Sequence, residues 1–189
     1  MAKLIVSEFV SLNGIMEAPG GEKTHPHTGW TSESIYGEDH YAYKLEELEE
    51  AGSVLLGRKT YEGFAAAWPQ REGPFADKFN SVPKYVVSST LTDPEWVNTT
   101  VLAGDPVEEV RKLKETAPGP ILLNGSAQLA HALTEADLVD EYRAMVHPVL
   151  VGDGLRMFPD PEEMKKLKLK DAISYDSGVA LLIYESAES

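Results

Sequence analysis

At 189 residues, with 42% hydrophobic residues and no cysteine, the chain suits one domain with a sizeable core and can build neither disulfides nor a thiolate metal site. Its formal net charge of −14 repels polyanions, which disfavours general binding to nucleic acid or to an anionic membrane. No apolar run is long enough to span a bilayer, and the start lacks a basic segment followed by a hydrophobic one, so a cytoplasmic protein with a small-molecule partner is expected.

Lys3–Leu12 reads as a largely buried strand, carrying Leu4, Ile5, Val6, Phe9, Val10 and Leu12, and Asn13-Gly14 marks the turn that ends it. Met16–Thr31 is rich in Gly, Pro, Thr and His without periodicity; a loop of that length often covers an active site. Tyr41, Leu45 and Leu48 recur at helical spacing before the stop at Gly52, and Glu46, Glu47, Glu49 and Glu50 read as a solvated face of that helix. Ser53–Leu56 is a short apolar strand, and a helix follows near Thr60–Trp68. A short helix is predicted over Phe75–Asn80, then strands over Lys84–Ser89 and Asn98–Leu102.

Asp105-Pro106 supplies an N-cap and a first helical position for a helix that buries Val107, Val110 and Leu113. Pro120–Leu123 is again a strand, and Asn124-Gly125-Ser126 turns it into the helix Ala127–Leu133. Val139–Val151, Leu167–Asp176 and Val179–Glu185 read as three closing strands, the last two joined by a tight turn at Ser177-Gly178. Val179–Ile183 is apolar at nearly every position and needs cover on both faces, from helices or from a second subunit. The expectation is an α/β fold: a mixed, mainly parallel sheet of about eight strands, helices on both faces, antiparallel C-terminal strands, and one domain over 1–189.

Three strand ends carry chemistry suited to a phosphate-bearing ligand. Gly57-Arg58-Lys59-Thr60 places two cations and a hydroxyl on the first turn of a helix, where free N–H groups already favour an anion. Ser88-Ser89-Thr90 adds hydroxyls, and Asn124-Gly125-Ser126-Ala127-Gln128 adds a second glycine-bearing turn into a helix. Ligands of open α/β sheets bind beyond such carboxyl ends. No Gly-x-Gly-x-x-Gly follows the first strand, so the usual dinucleotide fingerprint is absent, and so is a P-loop. His25-Pro26-His27 lacks a visible third ligand, and no metal is expected there. Trp30, Tyr36 and Trp68 are aromatic candidates for stacking a flat heterocycle or for core packing, and His147 is read as packing or a subunit contact.

With these residues in place, the chain resembles the dihydrofolate reductase-like superfamily, and within it stand-alone relatives of the reductase domain of bacterial riboflavin biosynthesis. The resemblance rests on Ser11-Leu12-Asn13-Gly14, on Leu55-Leu56-Gly57-Arg58-Lys59-Thr60-Tyr61-Glu62, on Lys84–Ser89 and on Leu122–Leu129. It extends through Leu138-Val139-Asp140-Glu141-Tyr142-Arg143 to Pro148-Val149-Leu150-Val151-Gly152-Asp153-Gly154. It implies an NADPH-dependent reductase. Arg58, Lys59 and Thr60 would hold the cofactor's 2′-phosphate and pyrophosphate, Ser88 and Ser89 the adenosine ribose phosphate, and Gly125-Ser126 the pyrophosphate. Ile15 and Met16 would lie against the nicotinamide. The substrate-facing acid would come early in the helix before the second strand, with Asp39 first and Glu38 and His40 as alternatives. A homodimer is also implied.

Some features depart from the riboflavin pattern. There is no cysteine for a deaminase zinc site, the Asp-x-Pro-x-Leu run is replaced by Phe64-Ala65-Ala66-Ala67-Trp68-Pro69, and Asn124 stands where the family's Glu-Gly-Gly has its acid. A pterin- or pyrimidine-like substrate is therefore expected. Dihydrofolate reductase activity, 5-amino-6-(5-phosphoribosylamino)uracil reductase activity and a non-catalytic NADPH-binding role are the alternatives.

Overall fold

The computed structural model describes residues 1–32, 40–161 and 163–187. Among the described residues, eight strands form one sheet: β1 (Leu4–Ser11), β2 (Ser53–Gly57), β3 (Lys84–Val87), β4 (Thr99–Leu102), β5 (Ile121–Leu123), β6 (Glu141–His147), β7 (Leu167–Ser174) and β8 (Ala180–Ser186). The helices are α1 (Tyr41–Glu50), α2 (Arg58–Ala67), α3 (Pro74–Ser81), α4 (Pro106–Thr116) and α5 (Ala127–Glu135). The strand order is β4-β3-β2-β5-β1-β6-β8-β7. All neighbours from β4 through β6 are parallel, whereas β8 runs antiparallel to both β6 and β7. The expected α/β sheet is thus present, with one refinement: β6 joins the parallel set beside β1, and the reversal of direction begins only at β8.

β1, β2 and β5 are buried on both faces, which is why they read as continuous apolar runs rather than alternating ones. On one face Leu4, Val6, Val10, Leu55, Ile121 and Leu123 pack with Val110 and Leu113 of α4 and Leu129, Ala130 and Leu133 of α5. On the other, Ile5, Val54, Leu56 and Leu122 meet Leu48 of α1, Tyr61 of α2 and Phe79 of α3. Asp105 caps α4 as expected, its Oδ1 accepting from the Val107 and Glu108 N–H groups at 3.0 and 3.1 Å. β6 is shorter than Val139–Val151 because Pro148 has no N–H with which to continue the ladder.

The solvated face expected of α1 is interrupted by Glu47, which is only 3% exposed. Its carboxylate accepts from Ser7 Oγ at 2.8 Å, Lys44 Nζ at 2.6 Å and Arg143 Nη1 at 3.2 Å. Arg143 Nε in turn donates to Glu141 at 2.7 Å, and Glu141 also takes Lys3 at 3.0 Å and Lys170 at 2.9 Å. Burial pushes the Glu141 carboxyl up, but the hydrogen bonds from Lys170, Arg143 and Lys3 outweigh it and hold the group at about 2. The network links α1 to β6 and β7 through charges and to β1 through the Ser7 hydroxyl. Four glutamates within five residues, Glu46, Glu47, Glu49 and Glu50, gave no hint of which carboxylate turns inward.

Removing one member of such a buried network leaves its partners charged and unpaired. Glu47→Ala is expected to cost about 3–5 kcal/mol, and Glu47→Gln less. Urea denaturation at neutral pH measures this as a lower midpoint at unchanged slope; a loss under about 1 kcal/mol for the alanine variant would show the network to be marginal.

Candidate functional site

The helices leave the sheet in opposite senses on either side of one gap. The chain runs from β2 through α2 outward to β3, and from β5 through α5 across β1 to β6. β2 and β5 are neighbours, so the first turns of α2 and α5 stand side by side above their shared crevice, α2 on one face and α5 on the other. Such a switch in winding direction opens a ligand crevice at the carboxyl edge. Among the described residues, neither helix start has a side-chain cap, and α2 has no acid in its first turn.

A hydroxyl clasp joins the two turns. Ser126 Oγ accepts the Gly57 N–H at 2.7 Å and donates to Thr60 Oγ1 at 2.9 Å. Ser126 itself is left-handed (φ 64°), as is Gly125 (φ 69°). A Cβ on Gly57 would stand 2.7 Å from Ser126 Oγ, and one on Gly125 would stand 2.6 Å from Thr60 Cγ2. Only glycine at both positions permits this approach.

The sequence-predicted residues fall into distinct groups around that clasp. Gly57, Arg58, Lys59 and Thr60 and the segment Gly125, Ser126, Ala127 and Gln128 are brought together. Arg58 and Lys59 are exposed, and Arg58 pairs with Glu62 at 2.7 Å across one helical turn, a solvent-exposed pair that holds it only weakly. Asn124 turns back into the sheet, its side-chain amide donating to the Ser7 carbonyl at 2.9 Å. Ser88, just past the β3 end, spends its Oγ on the Thr90 and Leu91 N–H groups at 3.2 and 3.0 Å, while Ser89 is exposed. The carboxyl ends of β3, β2, β5 and β1 are consecutive, and three interstrand steps of about 4.8 Å make an edge of about 14 Å.

Beyond the β1 end the surroundings become apolar and aromatic. Ile15 and Met16 are both buried, Met16 within the cluster that contains Val6, Val10 and Ala127, and Ile15 against Trp30 and Val151. The Met16–Thr31 loop is anchored rather than loose: Met16 N–H donates to Leu155 O at 2.8 Å, and Trp30 Nε1 to Glu17 O at 2.9 Å. Asn13 locks the β1 turn to the later segment, donating to Val151 O at 2.6 Å and accepting from Val151 N–H at 3.1 Å. His25 lies 2.5 Å from the Asp153 carbonyl oxygen.

Of the acid candidates, Asp39 and Glu38 lie outside the described residues, as does Tyr36. His40 is fully buried at the start of α1, with its ring 5.2 Å from that of His147 and 4.2 Å from Tyr41. Phe9 and Trp30 approach His147 edge-on, each at 5.6 Å. Burial holds the His147 imidazole down at about 4, so it is neutral at physiological pH and packs as an aromatic. Trp68 packs instead with Phe64, Phe75 and Phe79 on the α2–α3 flank, edge-on to Phe64 and Phe79.

One group at this edge escaped the sequence reading. Glu8 lies on β1 between Val6 and Val10, is 7% exposed, and its Oε1 has no hydrogen-bond partner among the described residues. Burial pushes its carboxyl up to about 8, against the opposing pull of Lys44 and the Gly125 N–H. A charged residue inside a strand otherwise buried on both faces was the available signal. A cavity of about 180 Å³ opens at the other end of the sheet, near Lys3, Pro120 and Glu141. Its charged walls are the ion-pair network already described, and it is far from the glycine turns.

Comparison with known proteins agrees with this geometry. The RibD C-terminal domain family matches residues 2–181. The uncharacterised Bacillus subtilis protein YyaP is 29% identical over 192 residues, covering 96% of this chain and 94% of its own. Among solved structures, a Shewanella sp. PV-4 protein assigned to riboflavin biosynthesis superposes with a TM-score of 0.76 at 19% identity, with 100% of both chains covered. Dihydrofolate reductase from Enterococcus faecalis superposes with a TM-score of 0.62 at 16% identity, over 98% of this chain and 97% of that one. The fold is that of the dihydrofolate reductases, and the chain belongs to the RibD C-terminal domain family.

Proposed function

We propose that this protein is an NADPH-dependent reductase of a small heteroaromatic compound, pterin- or pyrimidine-like. The observation that carries the reading is the pairing of two uncapped helix starts over the β2–β5 crevice, one of them bearing Arg58 and Lys59. Two positive helix ends and two exposed cations suit a pyrophosphate with an additional phosphate nearby. The edge from β3 to β1 is long enough for a dinucleotide to lie with its phosphates over β2 and β5 and its nicotinamide toward Ile15 and Met16. The Enterococcus faecalis reductase of similar fold was solved with NADP(H).

The cofactor supplies the hydride, so the protein's task is to hold the ring, exclude water and deliver one proton. The anchored Met16–Thr31 loop would shield the transfer. The proton donor is assigned to the segment entering α1, with Asp39 first, then Glu38 and His40.

A charge-assisted hydrogen bond to the extra phosphate is worth about 1.5–3 kcal/mol, which corresponds to about a tenfold to hundredfold preference for NADPH over NADH. Titration calorimetry should find that preference and should find it reduced in Arg58→Ala. Equal affinity for both cofactors, with no effect of the substitution, would sink the cofactor assignment. An NADPH oxidation screen over pterins, folates and pyrimidine intermediates then separates a reductase from a binding protein without turnover.

The proposed homodimer finds support in the closing strands. Leu169 is 51% exposed and Phe158 40% exposed; Leu169 pairs with Tyr184, which pairs with Tyr142, and Phe158 packs on Tyr142 at 5.5 Å. These groups share one sheet face, while Lys168 and Lys170 lie along the outer strand and discourage edge-to-edge pairing. A second copy would therefore dock face to face, where apolar contact offsets the repulsion between two chains of charge −14. Light scattering is expected to give twice the 20.7 kDa chain mass, and Leu169→Lys to shift it toward the monomer. A monomeric parent protein at micromolar concentration would refute the assembly.

A further inference from the structure

The two turns that form the crevice are positive, yet the neighbouring strand carries a buried acid. Glu8 follows Val6 on the α5 side of β1, and by the strand register it falls next to Gly125, whose N–H interacts with its carboxyl. The wall around it is apolar: Val6, Val10, Met16, Ala127 and Ala144 form one cluster. One carboxyl oxygen, Oε1, is buried with no hydrogen-bond partner among the described residues, and an unsatisfied polar atom of that kind is costly. In its ionised form such a group would repel a phosphate at close range. It sits one strand beyond the β2–β5 clasp, toward Ile15 and Met16, where the uncharged end of a dinucleotide would lie.

We propose that Glu8 is the residue that recognises the nicotinamide carboxamide, its carboxyl O–H donating to the amide oxygen while its other oxygen accepts an amide N–H. This inference rests on the NADPH reading given above. A protonated carboxyl is a donor and an acceptor set side by side, and a primary carboxamide presents the same pair in reverse. Phosphate offers acceptors only, and a ring without the amide offers neither half. Such a pair also fixes the rotation of the nicotinamide ring, and hence which of its faces is turned to the substrate. Below about pH 8 the group is protonated and the pairing complete; above it the carboxylate keeps only the acceptor half and adds a negative charge. Among the described residues, the charged groups that act on it are Lys44 and Glu47, both on α1, of opposite sign.

The test compares three ligands by calorimetry on the intact protein: NADPH, its 3-acetylpyridine analogue, which keeps the carbonyl but lacks the amide N–H, and adenosine 2′,5′-bisphosphate, which lacks the whole nicotinamide end. The parent protein should bind NADPH about tenfold tighter than the acetylpyridine analogue. Glu8→Leu should abolish that discrimination and weaken NADPH by about tenfold, with adenosine 2′,5′-bisphosphate affinity unchanged. Glu8→Gln, which keeps a donor and an acceptor side by side at nearly the same volume, should retain the discrimination and lose the decline in NADPH affinity above pH 8. Loss of all three ligands together in Glu8→Leu, with Glu8→Gln behaving as the parent, would mean a structural role and overturn the proposal. So would unchanged discrimination in Glu8→Leu. A parent protein that binds neither NADPH nor adenosine 2′,5′-bisphosphate would overturn the cofactor reading itself, a result distinct from either.

Discussion

The contact on which the rest of the site depends is the Ser126 hydroxyl between the Gly57 N–H and the Thr60 hydroxyl. It ties together two loops that leave neighbouring strands for opposite faces of the sheet. Because Gly57 and Gly125 lack side chains, the loops close to a separation that a single methyl group would violate. Their closeness sets two helix starts beside one crevice. Without it, Arg58, Lys59 and the α5 turn would be separate surface features of little consequence; with it, they form one electropositive edge on a strongly acidic chain.

That edge lies on a scaffold that tolerates considerable buried charge. Glu47, Glu141 and Arg143 are nearly inaccessible, and their compensation comes from α1, β6, β7, the Ser7 hydroxyl of β1 and Lys3 just ahead of it. Such a network adds little net stability compared with an apolar core of equal volume. It does restrict how α1 and the closing strands can pack, since any slip in register leaves a charge unpaired. The helix so fixed is the one whose entry segment holds the candidate proton donors, and the strands so fixed carry the His147 ring that packs against His40.

The site therefore has two unlike halves. Toward β2 and β3 it is exposed, basic and rich in hydroxyls and backbone N–H groups, which suits hydrated phosphate. Toward β1 and β6 it is buried and aromatic, with a neutral imidazole at His147 and an acid at Glu8 that burial keeps protonated to about pH 8. Phosphate gains from electrostatic attraction across water, whereas hydride transfer gains from its exclusion. The division follows from the sheet: strands at its centre are covered on both faces, and the helix starts reach solvent at its carboxyl edge.

Much of this was written locally in the chain. The strands β1, β2 and β5 declared themselves as apolar runs because both of their faces are covered, and Asp105-Pro106 and Ser177-Gly178 marked a helix start and a hairpin by their own backbone preferences. The glycine turns at 57 and 125, with their flanking cations and hydroxyls, were legible for the same reason: a strand-to-helix turn that admits a ligand needs those residue types in sequence. What depended on residues far apart in the chain was not legible. Glu47 looks like its neighbours Glu46, Glu49 and Glu50 until Arg143, 96 positions away, is brought against it. Asn124 looked like a crevice residue until the Ser7 carbonyl drew it into the sheet. Glu8 acquires its altered acidity from burial under α5 and from the Gly125 N–H, neither of which exists before β1 and β5 pair. Periodicity and turn chemistry are short-range and survive in one dimension, whereas desolvation and charge pairing arise only when distant segments meet, so the tertiary structure alone decided which acids are buried and what they face.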